Sequence, residues 1–149
     1  MVVVGAVVLV LVLIGVLYQR IGGPRRRHAP IGTLIDVGGH RLHAQCAGAG
    51  TPLVLFEAGI ASSSLSWALV QPAIARFTRA CSYDRAGLAW SDAASSPRTF
   101  TRIVDELARV LTSVAPDDKY ILVGHSFGSF VVRAYASRHP ERLAWCRSG

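Results

Sequence analysis

Residues 120–128, with the sequence YILVGHSFG, constrain the fold of this chain more than any other segment. An apolar run typical of a buried strand enters the pattern Gly-x-Ser-x-Gly, and a segment with helical spacing follows it. This context indicates a nucleophile elbow, in which a tight turn lifts a serine hydroxyl clear of a sheet edge. Gly124 and Gly128 meet the demand for small residues on either side. We therefore predict Ser126 as a nucleophile and the Phe127 backbone N–H as a donor to an oxyanion.

The remainder of the chain alternates short apolar runs with helical patterns, and a Gly-Gly-His sequence at residues 38–40 indicates a hairpin between the first two runs. The predicted strands are residues 33–37, 41–46, 53–56, 80–83 and 120–123, and the predicted helices are residues 67–77, 101–114 and 130–139. Alternation of this kind predicts a mostly parallel sheet with flanking helices, which is an α/β fold.

Residues 2–17 carry neither a charge nor a polar side chain, and arginines follow them directly. We interpret residues 1–19 as an uncleaved N-terminal transmembrane helix that contacts membrane lipid, and residues 20–32 as a basic juxtamembrane linker. A cleaved signal peptide is the alternative, but it would require a basic region before the apolar run and a small-x-small cleavage site after it. Because the arginines lie after the run, we expect the following domain on the cytoplasmic side.

The chain has a net charge of +7 and a pI of about 10.2. Its dense basic cluster, residues 25–27, adjoins the apolar run, where cations favour anionic lipid headgroups over nucleic acid. The three cysteines, Cys46, Cys81 and Cys146, follow no spacing of a metal ligand or redox motif. We therefore predict no nucleic-acid partner, no metal and no cofactor, and we interpret Cys46 and Cys81 as small core residues and not as bridge partners.

Three blocks in one order resemble the α/β-hydrolase-fold serine hydrolases. They are VLFEAGI at residues 54–60, YDRAGLAWSD at residues 83–92, and the elbow. The first takes the place of the family's His-Gly oxyanion block, with Glu57-Ala58 where His-Gly is common. The second is similar to the family's Tyr-Asp-x-x-Gly-x-Gly-x-Ser loop, with Ala89 in place of a usual glycine. The resemblance implies an incomplete α/β-hydrolase sheet, and residues 33–149 are predicted to be a truncated α/β-hydrolase domain.

The resemblance also implies roles for particular residues. Ser126 would form an acyl-enzyme with a small-molecule ester, thioester or amide, and the Phe127 and Ile60 amides would bind the oxyanion. Haloalkane and epoxide chemistry in this fold generally uses an aspartate nucleophile, so Ser126 argues against both.

In the family's order an acid and a base follow the serine, but here His139 and Glu141 are the only candidates after Ser126. His125 adjoins the serine, yet neighbouring side chains on a tight turn diverge, so we do not read it as the base. Asp84 and Arg85 are interpreted as an ion pair or loop scaffold, and Glu57 either pairs with an arginine or shapes the pocket. We expect this chain alone to be inactive. A non-catalytic remnant or interaction module derived from such a hydrolase is the alternative.

The last residues, LAWCRSG at 143–149, occupy the place of the family's next buried strand, yet they make a poor core strand. Reading the codons of Trp145 and Cys146 one nucleotide earlier gives Leu, Met or Val followed by Val. Our hypothesis is a frameshift that removed the acid, the base and the lid, and a genuine short protein is the alternative.

Overall fold

The computed structural model describes residues 2–22, 31–94 and 97–144. It divides into two compact units, Met1–Pro30 and Ile31–Gly149. The first unit contains helix α1, Val2–Gly22. Residues 23–30 of the predicted linker and residues 145–149 of the tail lie outside the described residues.

Helix α1 does not support the predicted membrane anchor. Among the residues that the structure describes, none of the helices combines the length and the apolarity that crossing a membrane requires. The predictions of a transmembrane helix at residues 1–19 and of a membrane localisation are therefore wrong.

The second unit is built on a five-stranded sheet in the order β1-β2-β4-β3-β5. The strands are β1 Thr33–Asp36, β2 Arg41–Ala47, β3 Leu53–Glu57, β4 Ala80–Tyr83 and β5 Tyr120–Gly124. The β1–β2 hairpin and the β2–β4 pair are antiparallel, whereas β3 runs parallel to both β4 and β5. The predicted hairpin and parallel strands are thus present, and the carboxyl ends of β3, β4 and β5 lie at one edge.

Two long helices cover one face of the sheet, α3 Phe100–Val114 and α4 Phe127–Arg138. The side chain of Thr99 caps α3 by accepting a hydrogen bond from the Arg102 N–H. The main core lies between these helices and the sheet, and it includes the fully buried Leu55, Leu107 and Val131. Burying a side chain of this size contributes roughly 1.5–3 kcal/mol, so this face supplies most of the domain's apolar stabilisation.

The opposite face is covered by much shorter helices. The single helix predicted at residues 67–77 is wrong, because the chain forms a 3-10 helix, Ser64–Trp67, followed by the one-turn helix α2, Gln71–Ile74. Pro72 lacks the N–H that a continuous helix would use at that position. The Gln71 side chain instead donates to the Ala80 carbonyl and accepts from Ser82, which fixes α2 against β4.

Cys46 and Cys81 form a disulfide, so the interpretation of both as unpaired core residues is wrong. They are direct partners in the antiparallel β2–β4 register, with 4.1 Å between their Cα atoms. Cys81 is buried, whereas Cys46 is exposed. The pairing of these two strands is not visible in the sequence, because β3 lies between them along the chain.

Strand β5 forms the outer edge of the sheet as far as the structure describes it. Leu143 makes a single parallel bridge to Tyr120, and the Ala144 N–H donates to the Tyr120 carbonyl over 2.9 Å. A groove of about 310 Å³ lies here, lined by residues that include Ile121 and Val132. The chain therefore turns parallel to β5 at the position where the sequence predicted the family's next strand.

Candidate active site

The turn between β5 and α4 is tightly packed and holds Ser126 in an unusual backbone conformation. Ser126 is exposed and has φ 53° and ψ −120°, which a non-glycine residue adopts only when its surroundings impose it. A Cβ atom at Gly124 would lie 2.7 Å from the carbonyl carbon of Gly128. A Cβ atom at Gly128 would lie 2.4 Å from the Glu57 carbonyl oxygen. A larger residue at Gly124 would therefore push the start of α4 away from β5, and a larger residue at Gly128 would push it away from β3.

Helix α4 begins directly after Ser126, three residues earlier than the sequence predicted. The Gly128 N–H donates to the His125 carbonyl over 2.9 Å, and the Ser129 N–H donates to the Ser126 carbonyl over 3.0 Å. Phe127 is the first helical residue, so its N–H has no carbonyl one turn earlier in the helix. This N–H also lies at the positive end of the helix dipole, where a developing negative charge is stabilised.

The loop after β3 runs beside this turn. Glu57 and Gly124 are partners in the parallel β3–β5 register, and the His125 N–H donates to the Glu57 carbonyl over 3.1 Å. The His125 ring lies close to Gly59, where a Cβ atom would be 3.1 Å from Nδ1. Ile60 follows on the same loop, with 71% of its surface exposed. The structure thus brings the loop that carries Ile60 next to the turn that carries Phe127.

A buried polar group connects these two segments, and we call Glu57, Tyr83, Arg85 and Phe127 the elbow cluster. Both Glu57 oxygens accept hydrogen bonds, Oε1 from Arg85 Nη1 and Oε2 from the Tyr83 hydroxyl. The Arg85 guanidinium also lies over the Phe127 ring, 5.4 Å from its centroid. Of the two roles that the sequence left open for Glu57, the structure shows pairing with an arginine.

Burial dominates the electrostatics of the elbow cluster. It raises the pKa of Glu57 more than the Tyr83 hydrogen bond and the Arg85 charge lower it. Burial, together with the adjacent Glu57 carboxylate, also raises the pKa of the Tyr83 hydroxyl. The Glu57–Arg85 ion pair therefore holds the two segments in place, although burying its charges lowers the free energy of unfolding.

A second buried group, the hairpin cluster, consists of His43, Ser64, Asp84 and Ser91. Asp84 Oδ2 lies 2.9 Å from His43 Nδ1, and Asp84 Oδ1 accepts from the Ser64 N–H over 2.7 Å. The Ser91 hydroxyl donates to the Asp84 carbonyl and accepts from the His43 N–H. Burial raises the pKa of Asp84, but the hydrogen bonds from His43 and Ser64 lower it by more. The pKa of Asp84 therefore lies below its ordinary value. This cluster fastens β2 to the loop after β4.

The contact between His43 and Asp84 was not predicted from the sequence. Because side chains alternate along a strand, His43 lies on the opposite face of β2 from Leu42 and Ala44, and no local pattern indicated that its ring would be covered. In the same loop Ala89 has φ 41°, the left-handed conformation that glycine adopts at lower cost. Ala89 therefore occupies a position whose backbone conformation favours glycine.

The candidates for base and acid after Ser126 lie far from it. His139 follows the last residue of α4, and a helix of 12 residues is about 18 Å long. The His139 ring packs on Tyr135, and its Nδ1 lies 3.7 Å from Glu141 Oε1. The structure therefore does not bring His139 or Glu141 to the elbow. Within the described residues, no group of three or more His, Cys, Asp or Glu side chains is placed to hold a metal.

Comparison with known proteins matches this geometry. The model of the alpha/beta hydrolase fold family matches residues 52–146. This range includes the loop after β3, the loop that carries Asp84 and Ser91, and the elbow. The chain belongs to the alpha/beta hydrolase fold family. The resemblance read from the three sequence blocks is therefore confirmed.

Relatives in this family carry different names. A 2-hydroxymuconate semialdehyde hydrolase from Pseudomonas sp. (strain CF600) is 32% identical over 76% of this chain. A protein from Hormonema carpetanum named probable transporter efuK is 37% identical over 72% of the chain. The crystal structure of epoxide hydrolase A from Mycobacterium thermoresistibile superposes with a TM-score of 0.70 and 28% identity, and covers 78% of the chain.

This chain spans only part of each of these proteins. It covers 41% of the semialdehyde hydrolase, 16% of the efuK protein and 37% of the epoxide hydrolase.

Proposed function

We propose that this chain carries the nucleophile and the oxyanion hole of a serine hydrolase. In the proposed reaction the Ser126 oxygen attacks the carbonyl carbon of an ester, thioester or amide. The carbonyl oxygen becomes an oxyanion that the Ile60 and Phe127 amides stabilise. The intermediate then collapses to acyl-Ser126, and the departing alcohol, thiol or amine takes up, through solvent, the proton that Ser126 loses. Water then attacks the acyl carbonyl and releases the acid. The observation that carries the proposal is the exposed Ser126 on a strained turn at the start of α4.

The chemistry of the nucleophile favours acyl transfer over the epoxide chemistry named for the structural relative. Attack of a carboxylate on an epoxide carbon gives an ester, whose carbonyl water can later attack. Attack of Ser126 on the same carbon would give an ether, which has no carbonyl and would leave the enzyme alkylated. A serine at this position therefore supports a substrate that brings its own carbonyl.

We assign none of the histidines that the structure describes as the base. His43 is enclosed with Asp84, and His139 lies at the opposite end of α4 from Ser126. His125 adjoins Ser126, but its ring lies against Gly59. We therefore expect residues 1–149 to react once with an activated phosphonate and to turn over little substrate, since a serine without its base retains only oxyanion and binding effects.

A fluorophosphonate reagent at high pH tests the proposal, because the Ser126 oxygen attacks its phosphorus and expels fluoride while hydroxide replaces the missing base. Intact mass and peptide mapping of the full chain should show one adduct on Ser126, and Ser126→Ala should abolish it. Ser137→Ala is the matched control, since Ser137 is exposed on the same helix and should leave the labelling unchanged. A wild-type chain without an adduct, or an adduct that persists in Ser126→Ala, would reject the proposal and favour a non-catalytic module.

A further inference from the structure

We propose that Arg85 is a positioning residue that orients both donors of the oxyanion hole at once. The inference rests on the proposed function, since it concerns the same site, but it makes its own claim about how the two loops are held. One guanidinium contacts the backbone of the Ile60 loop and the side chain of Phe127.

Arg85 sets the direction of the Ile60 N–H through the carbonyl of the preceding residue. Arg85 Nη1 donates to the Ala58 carbonyl over 2.7 Å, and Nη2 donates to the Gly59 carbonyl. The Gly59 carbonyl also accepts from the Ser62 N–H over 3.2 Å. In a planar trans peptide the C=O and the next N–H point in opposite directions. Fixing the Gly59 carbonyl toward Arg85 therefore points the Ile60 N–H away from Arg85.

Arg85 also contacts the ring of Phe127. This ring lies under the guanidinium on one side and meets the Phe100 ring edge-on, with 6.1 Å between the centroids. A cation over an aromatic face is attracted to it, more strongly when both are shielded from water. Because Phe127 is the first residue of α4, holding its ring limits rotation of the backbone that carries the second donor.

These contacts together require the planar guanidinium of an arginine. Glu57 Oε1 accepts from the guanidinium and orients its plane, so the other N–H bonds of the fork are aimed at the two carbonyls. Arg85 is only 5% exposed, so water does not compete for these bonds. A lysine would supply the charge but would lack the fork and the flat face that lies on Phe127.

Hydrogen–deuterium exchange of the full chain tests this placement without requiring labelling. The main variant is Glu57→Gln combined with Arg85→Met, which removes both buried charges together and so leaves neither one unpaired. We expect at least 10-fold faster exchange of the Ser62, Gly128 and Ser129 amides, with exchange in residues 104–111 of α3 unchanged. Arg138→Gln, which removes an exposed arginine on α4, is the control and should leave all these amides unchanged.

The rate of fluorophosphonate labelling gives the second measurement. Removing one oxyanion donor outright costs about 10²–10³ in rate in a serine hydrolase, so misdirecting the donors should slow labelling by about 10-fold or more. Arg85→Lys should slow labelling similarly while remaining folded, because it keeps the charge.

Three results would overturn the inference. They are unchanged exchange in both loops, exchange that rises equally in α3, and labelling at the wild-type rate in a folded Arg85→Lys variant. If wild-type Ser126 is not labelled at all, the proposed function fails, while the exchange of the two loops still decides whether Arg85 positions them.

Discussion

Asp84 and Arg85 are neighbours in sequence, yet each belongs to a different buried cluster. Successive side chains of an extended segment point in opposite directions, so Asp84 faces His43 and the hairpin while Arg85 faces Glu57 and the elbow. One short loop after β4 therefore serves two purposes. It fastens the antiparallel edge of the sheet through Asp84, and it connects the two loops of the candidate site through Arg85.

The two clusters differ in what ionisation does to the fold. The pKa of Asp84 is lowered, so its charge stabilises the folded state at neutral pH. Burial raises the pKa of Glu57, so its charge is less favourable in the folded state than in the unfolded chain. The charge of Asp84 in the hairpin cluster thus contributes stability at neutral pH, whereas the buried charge of Glu57 in the elbow cluster costs stability.

The largest effect should come from breaking the elbow cluster on one side only. Arg85→Met leaves the Glu57 carboxylate buried and without its charged partner, and we expect a loss of about 3–5 kcal/mol in the free energy of unfolding. The Glu57→Gln and Arg85→Met double variant should lose much less, because no buried charge remains. Urea denaturation of the three proteins measures the difference. Equal losses in the single and the double variant would show that the guanidinium packing, and not the unpaired charge, sets the cost.

Breaking the hairpin cluster should have a smaller effect that depends on pH. Asp84→Asn places an amide donor against His43 and removes the charge, and we expect a loss of about 2–3 kcal/mol at pH 7. Because the folded pKa of Asp84 lies below its ordinary value of 3.8, the stabilisation is present above that value and is lost as pH falls through the folded pKa. The wild type and the variant should therefore converge in melting temperature as pH falls below 3.8. Curves that stay parallel above and below that value would contradict this assignment.

The sequence predicted what depends on short-range spacing and missed what depends on strand order. Strand β4 was predicted with its observed bounds, and the elbow turn was predicted from its two glycines. The pairs His43–Asp84 and Glu57–Arg85 join residues 41 and 28 positions apart. These pairs, like the disulfide, form only because β4 lies between β2 and β3, an order that local patterns do not encode.

Two predicted helices were wrong because packing against the sheet overrides the local pattern. The helix predicted at residues 67–77 is broken beside Pro72, where the Gln71 side chain bonds β4, a contact that spacing alone does not show. The start of α4 was placed too late, since Gly128 and Ser129 have low helix propensity and the packing against Glu57 overrides it.

The smallest effect on stability should come from changing the exposed ion pair between Arg41 and Asp92, which also joins β2 to the loop after β4. Arg41 Nε donates to Asp92 Oδ2 over 2.8 Å, but the two side chains are 56% and 40% exposed. Exposed pairs of this kind are screened by salt and contribute little. The backbone bond from the Asp92 N–H to the Arg41 carbonyl also remains when the side chain changes. We therefore expect Arg41→Gln to leave the melting temperature unchanged at both low and high salt. A loss as large as that of Asp84→Asn would mean that pairing along the whole loop, and not the buried Asp84 contacts, fastens the hairpin.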